Sequence, residues 1–102
     1  MDLTSSRGDR ERDRRDILTL GTRLASAEGF RVIAMDGRDV GAVEHVVYKR
    51  HADHPDEVVF RRKVLLWERL YVATFDDVAE VDVGRERVYL GIPSAAIRRH
   101  SD

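Results

Sequence analysis

Two histidines stand close together in the stretch KRHADHPDE, as His51 and His54, with Asp53, Asp56 and Glu57 around them. Imidazole nitrogens and carboxylate oxygens are what a divalent metal takes as ligands, so this is the chain's best metal candidate. The spacing is a common one, and a metal site also needs ordered partners behind its ligands. The segment is read as a solvated polar loop, with weak divalent-metal binding by His51 and His54 kept as an alternative. Glu44-His45 is the next candidate, for acid–base work. Neighbours in a strand point to opposite faces, so these two cannot act as one pair. Asp36, Asp39, Asp76, Asp77 and Asp82 fall at turns and strand exteriors, where carboxylates bend and cap the chain. Ser5, Ser6, Ser26, Ser94 and Ser101 lie in tails or connections, and no glycine-rich loop follows a strand into a helix. There is no cysteine, which removes thiolate chemistry and any disulfide framework. The expectation is a protein with no catalytic residues and no cofactor, not an enzyme.

The elements that would position such groups fit a chain of 102 residues, enough for one domain. Eighteen basic and nineteen acidic side chains nearly cancel, leaving a net charge of -1. On that balance nucleic acid is not an expected partner. Arginine far outnumbers lysine, which suits a surface laced with forked carboxylate pairs. No apolar run approaches the roughly 20 residues that cross a bilayer, and the start of the chain lacks a signal-peptide core. The reading is a cytoplasmic protein with no membrane insertion.

Residues 1–16 read as a charged, disordered leader, because a segment with so few apolar side chains cannot offset its ordering entropy. Ile17, Leu18, Leu20 and Leu24, interrupted by Gly21, fit either a first strand or a short covering helix. Phe30–Met35 is a run of β-formers. Asp36-Gly37 follows as a hairpin turn of type I′, with Val40–Tyr48 as the return strand. Gly41 marks a bulge or a close backbone approach. Val58–Phe60 is a third strand, Arg61-Arg62-Lys63 a basic break, and Val64–Trp67 a short apolar run. Glu68-Arg69 reads as a turn and Leu70–Thr74 as a strand. Phe75–Val78 reads as a single helical turn or tight bend. Ala79–Val83 and Arg87–Ile92 alternate apolar and polar residues as a closing hairpin around Gly84-Arg85-Glu86. Residues 93–102 form a short C-terminal tail, with a frayed turn after Pro93. Six or seven short strands at regular spacing argue for an all-β body, a small barrel or sandwich, over residues 17–92.

The stretch Phe30-Arg31-Val32, Asp36-Gly37-Arg38-Asp39-Val40-Gly41-Ala42-Val43-Glu44-His45-Val46 resembles the opening of PRC-barrel domains. Ala73-Thr74-Phe75-Asp76-Asp77-Val78 is similar to the family's second landmark, with Thr74 where proline is common. Arg61-Arg62-Lys63 replaces the family's glycine-bearing turn. The resemblance covers roughly residues 25–92. It implies a small, strongly bent antiparallel β-barrel without catalytic residues. In the family this barrel occurs in the photosynthetic reaction-centre H subunit, in a ribosome maturation factor, and in stand-alone chains, with protein contact as the shared theme.

The contact candidates are Leu66, Trp67 and Tyr71, rimmed by Arg61, Arg62 and Arg69. Tryptophan and tyrosine combine a large apolar area with a polar handle, which favours them at interfaces. The competing place for Trp67 is as a plug in the barrel end, and the reading leans that way because the chain has few aromatics to fill its core. The expected function is a non-enzymatic protein-interaction module, self-associating as a homodimer or docked on another protein. The alternative is a ribosome- or RNA-associated barrel using Arg61, Arg62, Lys63 and the leader.

Overall fold

The computed structural model describes residues 14–100, so the leader up to residue 13 lies outside the described residues. Among the described residues the fold is mostly sheet, with seven strands and one α-helix. Helix α1 spans Arg14–Ala25, which resolves the ambiguity left by the sequence and starts inside the segment read as leader. Its apolar positions recur at the helical spacing 17, 20, 24, and Leu20 and Leu24 are buried while Ile17 packs against the core. Gly21 sits on the same face. A Cβ there would lie 2.6 Å from the His54 Cβ, so the missing side chain lets the helix approach the 49–56 loop.

The strands are β1 (Arg31–Ile33), β2 (Asp39–Val47), β3 (Glu57–Val64), β4 (Trp67–Thr74), β5 (Val78–Asp82), β6 (Arg87–Leu90) and β7 (Arg98–Arg99). They form one sheet in the order β5-β6-β1-β2-β3-β4-β7. All neighbours are antiparallel except β1 and β6, which run parallel with Val32 opposite Val88. This departs from the all-antiparallel expectation, as α1 departs from all-β. Among the described residues no ladder joins β5 to β7, so hydrogen bonds do not close the sheet into a barrel.

The sheet nevertheless curls. Val78 and Val81 of its first strand share one core cluster with Val58, Phe60 and Ala73 from the far side. Bulges supply the bend, since an extra residue on one strand increases local twist. They fall opposite Val32/Ile33, between Val43 and His45, and between Val78 and Glu80. The second re-phases β2. Val43 faces Phe60, His45 faces Val59 and Val46 faces Val58, leaving Glu44 as the extra residue. Val43 and Val46 therefore share the core side, not opposite sides as strict alternation gives.

The β1–β2 connection differs from a type I′ turn. Gly37 N–H donates to the Ala34 carbonyl at 2.9 Å, and Ala34 N–H donates to the Arg38 carbonyl at 2.8 Å. Gly37 has φ +85°, while Asp36 does not have positive φ. This is a three-residue loop closed by a left-handed glycine, a common hairpin form. Freed from the turn geometry, the Asp36 carboxylate accepts from the Ser94 hydroxyl at 2.8 Å and ties the segment after Pro93 to this loop. That segment is not a plain tail: a 3-10 turn at Ser94–Ala96 leads into β7, which pairs with Tyr71 and Val72. The bend at Phe75–Asp77 is also a 3-10 turn, with Phe75 buried.

Gly41 meets both expectations placed on it. It borders the first bulge, and at φ +141° it has a backbone that side chains rarely adopt. A Cβ there would overlap the Arg61 carbonyl, so β2 and β3 cross in contact at this point. Gly41→Ala is expected to cost roughly 2–4 kcal/mol in urea unfolding. A loss under about 0.5 kcal/mol would show that the crossing relaxes freely.

Candidate functional site

The β3–β4 hairpin turns where no turn chemistry is written. Val64 pairs with Trp67, leaving Leu65-Leu66 as a two-residue loop. Arg61-Arg62-Lys63 and Glu68-Arg69, read from sequence as a break and a turn, are instead the strand stems of this hairpin. Leu65 has φ +58°. Positive φ at the first loop position is normally supplied by glycine, and a leucine there costs on the order of 1–2 kcal/mol.

The three apolar side chains at the turn face water. Leu65 is 89%, Leu66 95% and Trp67 68% exposed. Trp67 therefore does not plug the core, contrary to the sequence-based leaning. Phe60 and Phe75 fill that interior instead, with Tyr71 half-buried against the cluster. Phe60 and Tyr71 stack with ring centroids 6.0 Å apart.

The tip stands clear of the sheet. β2 pairs with β3 only as far as Arg61, and β7 pairs with β4 at Tyr71 and Val72. Beyond those points three cross-strand pairs, Arg62↔Arg69, Lys63↔Glu68 and Val64↔Trp67, have no flanking strand. At about 3.3 Å per residue the two-stranded stem projects roughly 10 Å. Alternation puts Arg62, Trp67, Arg69 and Tyr71 on one face with Phe60, and Arg61, Lys63, Glu68 and Leu70 on the other. Arg61 donates to Glu44 Oε1 at 2.9 Å. Arg62, Lys63 and Arg69 make no ion pair among the described residues. Arg62 and Arg69 face each other directly, a like-charge pairing that disfavours the hairpin.

The other candidates are committed elsewhere. The 49–56 loop is more ordered than a solvated loop. Asp56 Oδ2 accepts from the backbone N–H of Lys49 at 2.6 Å, Arg50 at 2.8 Å and His51 at 3.3 Å. Its Oδ1 meets His51 Nδ1 at 2.7 Å. His54 stacks between His51 and Phe75, with both centroid separations 4.2 Å. The histidines thus serve as rings in a stack, and among the described residues no three metal-ligating side chains converge. His45 is exposed, and Glu44 holds Arg61. A cleft of about 490 Å³ lies between Arg31, Asp39, Arg61, Arg62, Lys63 and Glu68. Its one aspartate is held by Arg31 in a forked pair at 2.6 and 2.9 Å, leaving no free base in it besides Glu68.

The Lys49 N–H, then the Arg50 N–H and the His51 ring, hold the Asp56 carboxyl well below the usual carboxylate range. A carboxylate with a depressed folded pKa contributes stability above its unfolded value, about 3.9, and loses it as pH falls toward the folded value. Asp56→Asn is therefore expected to lower the urea midpoint at pH 7. The gap to the wild type should narrow steadily below about pH 4. A gap independent of pH would show that the carboxylate's charge is not what closes the loop.

Among the described residues no helix is long and apolar enough to cross a membrane. No protein-family model matches the chain, and no curated protein matches it either.

Proposed function

We propose that this chain is a non-enzymatic docking module whose contact element is the β3–β4 hairpin tip. The observation that carries the reading is the cluster Leu65-Leu66-Trp67, solvent-facing and held in a turn that needs an unfavourable leucine conformation. Backbone strain persists where the surroundings enforce it, and it gathers at functional sites. Stability alone would place glycine at Leu65, where φ is positive, and a polar residue at Leu66. The ion-paired cleft and the stacked histidines support the non-enzymatic part, because Asp39, Asp56, His51 and Glu44 are each engaged with a structural partner.

The reading takes the chain as a PRC-barrel-like domain, in keeping with the Asp36-Gly37 loop, the Gly41 bulge and the bend at Phe75–Asp77. Self-association is a second reading. It is favoured by the outer edge of β4 before Leu70, which no strand covers among the described residues.

A photo-crosslinking residue placed at Leu66 tests the module in living cells. Adducts are expected from Leu66 and not from Glu80, an exposed position on β5. Equal yields from both positions, or none from Leu66, would contradict docking through the tip.

A further inference from the structure

Resting on the docking reading, we infer that the occupant of the tip is an anionic lipid surface, with Leu65, Leu66 and Trp67 seated at the headgroup–acyl boundary. Three features of the hairpin point there. The tip is convex and small: three side chains offer on the order of 500 Å², against roughly 800 Å² per partner in a standard protein interface. A fluid interface accepts a point-like apolar wedge, and leucine with tryptophan is the composition that partitions into it.

The stem carries the complementary charge. Arg61, Arg62, Lys63 and Arg69 surround the tip against Glu68 alone, and Arg61 is already neutralised by Glu44. Cations just behind an apolar wedge are drawn to anionic headgroups. A second copy would bring the same cationic collar to the contact, so charge disfavours a tip-to-tip dimer.

Arg62 and Arg69 also lie opposite each other on the Trp67 face, and among the described residues neither is ion-paired to a carboxylate. A phosphodiester oxygen pair fits two guanidinium forks and removes their repulsion. RNA supplies phosphates too, and Trp67 offers one base a face, but the two leucines at the leading point offer its neighbours none, and successive bases need a run of such faces. The near-zero net charge of the whole chain hides this collar, which exists only once the hairpin gathers it. The absence of a long apolar run bears on spanning segments and not on a three-residue wedge.

Trp67 is the sole tryptophan, so its emission reports the contact directly. The full chain is mixed with vesicles of phosphatidylcholine alone, or of phosphatidylcholine and phosphatidylglycerol in equal parts. A blue shift and co-sedimentation are expected with the anionic vesicles only, weakening as salt rises. Leu65→Gly with Leu66→Ser keeps the reporter and relieves the turn, and should weaken binding about tenfold or more. Arg62→Gln with Arg69→Gln should weaken it roughly fivefold per charge removed. Circular dichroism and urea midpoints at wild-type level or above confirm that both variants fold.

No shift with anionic vesicles overturns the proposal, as does binding undiminished in both variants, which would place the contact on another part of the chain. A shift given by poly-uridylate and not by vesicles overturns it in favour of RNA. If vesicles fail while Leu66 still crosslinks selectively to protein, the lipid assignment falls and the docking module stands. If vesicles and crosslinking both fail, both readings fall.

Discussion

The curl of the sheet is the constraint on which the rest of this structure depends. Seven strands laid flat would leave Val78 and Val81 far from Phe60 and Ala73, yet these residues share one core. Three bulges supply the bend, and the close crossing of β2 over the Arg61 carbonyl at Gly41 fixes where β3 runs. Once the curl has collected the valines of β2, β3, β5 and β6, the interior is full. The three phenylalanines Phe30, Phe60 and Phe75 complete it. The end of the longest hairpin has nothing left to pack against. The exposed tip is in this sense a consequence of how the core closes.

The same curl explains why the polar candidates do structural work. Between β2 and β3 the chain crosses from one strand to the next against α1 at Gly21. It does so by wrapping three consecutive backbone N–H groups around the Asp56 carboxylate. His54 fills the space between that wrap and Phe75, with Gly21 of α1 above it. A buried or half-buried polar group is tolerated when its hydrogen bonds are made, and here they are made within the loop.

Much of this was legible in the amino-acid order. Alternation in Val78–Asp82 and Arg87–Leu90 gives strands directly, and Asp36-Gly37 with Gly41 marks a hairpin and a bulge. What failed has physical causes. Gly37 alone takes positive φ, so the turn is longer than its dipeptide implies. The Glu44 bulge breaks strict alternation, and such an insertion leaves no composition signal. The β3–β4 turn carries the least sequence signal. Glycine-free and apolar, Leu65-Leu66 reads as core, while its charged flanks read as loops, so alternation and composition exchange strand and turn there. The parallel pairing of β1 with β6 joins residues more than fifty positions apart and has no local signature. Leu66, Trp67, Arg61, Arg62 and Arg69 are contact candidates by residue type alone, because an aromatic beside arginines is a contact composition wherever it lies.

The central claim is that the apolar tip is presented to solvent and takes no part in the core. Quenching of Trp67 fluorescence by acrylamide and iodide in dilute protein measures this most directly. The account predicts long-wavelength emission and quenching by both agents close to that of free tryptophan, with iodide favoured by the cationic stem. A blue-shifted emission shielded from both quenchers in the monomer would mean that Trp67 is packed inside, and would contradict it.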